Sequence, residues 1–103
     1  MTTYNFANHV SGDTFLGINM ELKDALGDPI SLVGASVALS TVRDSNILST
    51  DNGDIEITDE AGGIFQIKEQ IISWPAGTYT YKIRVTFASG RKRTYVSGTW
   101  IIL

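Results

Sequence analysis

The chain has 103 residues, 43% of them apolar and 10% aromatic, with one histidine, no cysteine and a net charge of −3. That length suits a single domain, residues 1–103, whose one core buries roughly two-thirds of the surface the unfolded chain exposes. Lack of cysteine excludes disulfides, thiolate nucleophiles and cysteine-ligated zinc or iron–sulfur sites, and the acidic balance argues against nucleic-acid binding as a main role.

The first ten residues, MTTYNFANHV, carry neither a basic head nor an apolar run, so no secretory signal is expected. The longest apolar run, Trp100 to Leu103, falls far short of the roughly 20 residues that cross a bilayer, and no membrane partner is expected. Helical periodicity is nearly absent, whereas two-residue alternation recurs. Phe15 to Lys23 predicts a strand with Ile18, Met20 and Leu22 on one face and Asn19, Glu21 and Lys23 on the other. Asp24 to Ile30 is turn chemistry, and Pro29 bars a central-strand bond there.

Ala35 to Arg43 alternates again around Val37 and Leu39, and Asp44 to Gly53 reads as a polar loop with an apolar bump at Ile47-Leu48. Asp54 to Thr58 and Ile64 to Lys68 form a hairpin across the turn Asp59 to Gly63. The clearest signal is Tyr79 to Phe87, where Tyr79, Tyr81, Ile83, Val85 and Phe87 share one face; Ala88-Ser89-Gly90 then returns the chain into Arg91 to Leu103. Three linking residues ending in Gly fit a type I turn with a left-handed Gly bulge. About seven short strands at such spacings predict an all-β antiparallel sandwich.

Chemistry is sparse. His9, as the lone histidine, lacks the partners that catalysis needs and is expected at the surface or as a simple hydrogen-bonder. Asp51, Asn52, Asp54, Glu56, Asp59 and Glu60 form the densest acidic run, but Gly53 sits third rather than sixth in it, so the calcium-loop spacing fails and solvated turns are expected. Arg91, Lys92 and Arg93 should project from the hairpin and blunt a sheet edge. Tyr95, Trp74 and Trp100 invite a sugar-stacking reading; Trp100 is expected in the core and Tyr95 is left open. No phosphate loop, catalytic carboxylate pair or activated nucleophile emerges, so no enzyme activity, cofactor or metal is expected.

Trp74-Pro75-Ala76-Gly77-Thr78-Tyr79-Thr80-Tyr81 resembles the tyrosine corner of immunoglobulin-like domains, in which a Tyr hydroxyl bonds back to upstream backbone. The resemblance makes Gly77 and Tyr79 the structural corner and puts Tyr81 where a disulfide-bonded relative would carry its second cysteine. A wider likeness covers almost the whole chain: Gly12 to Phe15, Pro29 to Leu39, Ile57 to Ile67, Trp74 to Val85 and Ser89 to Ile102 resemble, in order, the small immunoglobulin-like domains of tailed-bacteriophage virions, nearest to the N-terminal domain of baseplate upper proteins. It implies an immunoglobulin-like β-sandwich and a non-enzymatic structural or adaptor role in the virion, after synthesis in the host cytoplasm. Other virion proteins, or further copies of the chain, would be the partners, with Arg91, Lys92, Arg93, Tyr95, Ile101 and Leu103 as the candidate interaction surface. A module binding host-surface glycan or another protein is the alternative, with Asn46, Asp51, Asn52 and the Tyr95 face carrying recognition.

Overall fold

Strand-forming alternation dictates the architecture of the computed structural model, which describes residues 2–41 and 47–103; it is all-β, with no helix among those residues. The strands are β1 (Thr2–Thr3), β2 (Thr14–Phe15), β3 (Ile18–Glu21), β4 (Ser36–Thr41) and β5 (Ile47–Ser49), followed by β6 (Ile55–Asp59), β7 (Ile64–Ile67), β8 (Gln70–Ile71), β9 (Gly77–Thr86) and β10 (Lys92–Ile102). One sheet has the order β1-β10-β9-β4-β5, and the second has β3-β7-β6. The short pair β2-β8 keeps the register of β3-β7, with Phe15 opposite Gln70 and Ile18 opposite Ile67. The two ladders are therefore one strand pair interrupted at Leu16-Gly17. Gly17 makes the interruption with φ 88°, and a Cβ there would lie 2.9 Å from the Ile67 carbonyl oxygen.

Apolar faces of both sheets meet in one core. Leu39, Tyr81, Ile83, Val85 and Trp100 come from the five-stranded sheet, and Ile55, Phe65 and Ile67 come from β6 and β7. Burial along β9 alternates without a break from Tyr79 to Val85, which places its aromatic and β-branched side chains between the layers and Thr80, Lys82 and Arg84 in solvent. The β9–β10 turn closes with Gly90 N–H donating to Phe87 O (2.8 Å) and Phe87 N–H to Arg91 O (2.8 Å), with Gly90 at φ 89°. That is the three-residue hairpin with a left-handed Gly.

Four expectations change. Ile47-Leu48 is strand rather than loop, because Leu48 pairs opposite Leu39 and buries its side chain; Val42 to Asn46 lie outside the described residues. The run Phe15 to Lys23 is two strands, not one. The N-terminal segment, read as preceding the first strand, runs parallel to β10 instead: Tyr4, Phe6, His9 and Ser11 donate to the carbonyls of Ser97, Thr99, Ile101 and Leu103. Ten strand segments occur among the described residues where about seven were predicted, chiefly because β1 and β5 are too short to alternate and two strands are split.

Candidate interaction surface

The corner is built where a tight turn delivers the chain into β9. Tyr79 is buried, and its Oη donates to Pro75 O at 2.6 Å, four residues upstream; Trp74 packs against its ring at 5.5 Å between centroids. A bond of this kind, back to upstream backbone, is what the likeness to a tyrosine corner implies. Gly77 begins β9 opposite Ile102, with φ 158° and open space where a Cβ would stand. Two residues on, Tyr81 is fully buried and its Oη donates to Tyr4 O, tying β9 to the N-terminal segment. Burial, with Tyr4 adding to the effect, pushes the Tyr81 phenol up to about 12.

Trp100 lies at the centre of an aromatic cluster, stacked on Phe6 at 4.4 Å, tilted against Phe15 at 5.1 Å and edge-on to Trp74 at 5.3 Å. It is a core residue. Of the two readings of His9 the structure has the simple hydrogen-bonder and not the surface residue: it is buried, its Nε2 lies 3.0 Å from Asp13 O, so Nε2 carries the ring proton, and its ring packs edge-on to Phe15 and Trp100. It closes the core.

The six residues proposed as a contact surface do not form one patch. Arg91, Lys92 and Arg93 are exposed at the hairpin end of β10, while Ile101 and Leu103 are exposed at the other end, about 27 Å away for eight extended residues. Ile102 between them faces the core. Tyr95 occupies a register shift between Thr94 and Val96 and is half-buried; Phe87 meets its ring edge-on at 6.3 Å, and the Arg93 guanidinium stands 6.0 Å from its centroid.

The acidic run splits: Asp51 and Asn52 lie in the turn after β5, Asp54 just before β6, Glu56 and Asp59 on β6, and Glu60 in the turn after it. Asp59 Oδ1 accepts the Gly62 N–H at 3.0 Å, and Asp54 Oδ2 accepts the Ser49 N–H at 3.4 Å. Glu56 pairs with Lys68 across strands at 3.5 Å. Asp51 and Asn52 are exposed in the turn after β5, three strands away from Tyr95 in the sheet, and Asn46 lies outside the described residues. Among the described residues no group of three His, Asp or Glu side chains comes together as a metal site, and no helix is long and apolar enough to cross a membrane.

A groove of about 240 Å³, which the sequence did not reveal, opens between the layers beside β3. Tyr4, Met20, Leu22, Tyr95 and Val96 give it apolar walls, and Asn19, Glu21 and Lys23 line its polar side. Its only trace in sequence is the Asn19-Glu21-Lys23 face, because alternation looks the same in an edge strand and a central one. No family model matches the chain, and no curated protein matches it.

Proposed function

We propose that the chain is a non-enzymatic structural or adaptor protein of a tailed-bacteriophage virion, whether of tail, baseplate, fibre or capsid, acting through protein–protein contacts with other virion proteins or copies of itself. The observation that carries this reading is the ordered set of motifs from Gly12 to Ile102, among them the Gly77–Tyr79 corner with its Tyr79 bond to Pro75 O. Strand order supports it too: β10-β9-β4 and β3-β7-β6 follow the C-F-G and B-E-D adjacencies of an immunoglobulin sandwich, with β5 added beside β4. Such a fold offers rigid edges and loops for contact. Mass spectrometry of purified particles of the encoding phage tests the proposal. The chain should co-purify at fixed stoichiometry with the structural proteins, and its absence from intact particles would reject the role.

A glycan-binding module is the second reading, favoured by the half-buried Tyr95 beside Tyr4 at the groove. Saturable binding on a glycan array, abolished by Tyr95→Ala, would establish it; a silent array and flat titration calorimetry would dismiss it.

A further inference from the structure

The most open edge of the sandwich is β3. Leu22 donates its N–H to Gly63 O at 2.9 Å and accepts the Ile30 N–H on its C=O at 3.0 Å, so the backbone groups of Leu22 point inward along the β7 line. Alternation then turns those of Asn19, Glu21 and Lys23 outward. Lys23 confirms the phase: the bonds Asp24 N–H to Asp28 O and Ile30 N–H to Leu22 O bracket its bridge to Pro29, leaving its own groups on the free side. Among the described residues β3 pairs only with β7. In an immunoglobulin sandwich the place beside this strand belongs to the first strand; here the N-terminal segment bonds to β10 in the other sheet instead. The vacated lane is the groove walled by Met20, Leu22, Tyr4 and Tyr95.

The remaining edges are guarded. Among the described residues β6 carries a register shift between Ile57 and Asp59 and the acids Glu56 and Asp59, β5 has three residues and β1 two. Bulges, charge and brevity are what discourage edge pairing. β3 has a regular register and, on its solvent face, the sequence Asn19-Glu21-Lys23 with Glu21 and Lys23 already paired at 2.9 Å.

We propose that the edge Glu21-Leu22-Lys23, where β3 runs out to the bridge at Lys23, pairs antiparallel with the same edge of a second copy of this chain about a twofold axis at Leu22. That register is self-complementary. It sets Glu21 opposite Lys23 of the second copy and Lys23 opposite its Glu21. Both positions present outward backbone groups, so each becomes a hydrogen-bonded pair that exchanges two bonds, about four in all. A twofold axis at Glu21 would instead oppose two carboxylates, and one at Met20 would leave the lysines without partners. Charge therefore selects one register and disfavours a foreign strand lacking the complement. A short edge does not hold a dimer by its backbone alone. The two most exposed large apolar side chains among the described residues, Leu16 (79%) and Leu26 (87%), flank this strand on either side, and the antiparallel register carries the turn bearing Leu26 of one copy toward Leu16 of the other.

This inference goes beyond the virion role and does not rest on it: it concerns the purified chain, and particle composition does not bear on it. Sedimentation of the intact protein over a range of concentrations tests it, with Glu21→Lys, Lys23→Glu and the double reversal as variants. Both side chains are exposed, so folding is retained, as far-UV circular dichroism verifies. Wild-type chain should show a monomer–dimer equilibrium, each single reversal should weaken it about tenfold, and the double reversal should restore it to within about twofold. Amides of Glu21 and Lys23 should exchange more slowly as concentration rises. A wild-type chain that stays monomeric throughout, a dimer indifferent to the reversals, or slowing of those amides only by an added extended peptide would each overturn the proposal.

Discussion

Three residues carry tests of their own. Tyr79 Oη bonds a carbonyl on exposed Pro75, so Tyr79→Phe frees an acceptor that water can reach. The expected cost is about 1 kcal/mol, read as a thermal midpoint lowered by about 4–8 °C in a domain of this size. Tyr81 gives pH dependence. Its neutral form survives in the folded chain up to about 12, while the unfolded phenol ionises near its ordinary 10.0. A raised folded value means that this contribution is whole below pH 10, and is lost as pH climbs through 12. Denaturant unfolding across that window should show a decline on the order of 2 kcal/mol, and Tyr81→Phe should flatten it. Gly98 is required by close approach: a Cβ would run into the carbonyl of Tyr4 on the neighbouring strand. Gly98→Ala should cost about 1–3 kcal/mol and speed amide exchange at Tyr4 and Phe6 more than in β9.

Elements differ in how far the sequence announced them. β9 was legible because one of its faces is sealed between two sheets and the other is wet, so the seven residues from Tyr79 to Val85 alternate cleanly; the hairpin was legible because only Gly is comfortable at φ 89°. Gly90 has open space around it, so Gly90→Ala isolates backbone strain from crowding. A loss of about 1–2 kcal/mol in thermal unfolding is expected, with Gly90→Asn recovering part of it. β5 escaped notice for a physical reason. Three residues cannot display a period, and the burial of Leu48 depends on its distant partner Leu39. The β3 edge escaped too, since a strand's own side chains do not record whether a neighbour lies on its far side.

At the scale of the whole molecule, the least legible feature is the one that knits it together. The segment from Tyr4 to Ser11 follows β10 in parallel, and its pairing joins residues more than ninety positions apart in sequence. Nothing local signals it: Phe6 stands between Asn5 and Ala7 with no alternation to mark a strand, and His9 reads as polar surface until Phe15 and Trp100 are seen to enclose it. Yet this segment supplies Phe6 to the core, an acceptor to Tyr81 and one wall of the groove, and by joining β10 it leaves β3 open. The central claim is thus a two-layer sandwich whose N-terminal segment belongs to the β10 sheet. Residue-resolved amide exchange measures it most directly: Tyr4, Phe6, His9 and Ser11 should be protected alongside Leu103 and the β9–β10 ladder. Exchange of those four amides at the rate of a free chain, while β9 stays protected, would contradict it.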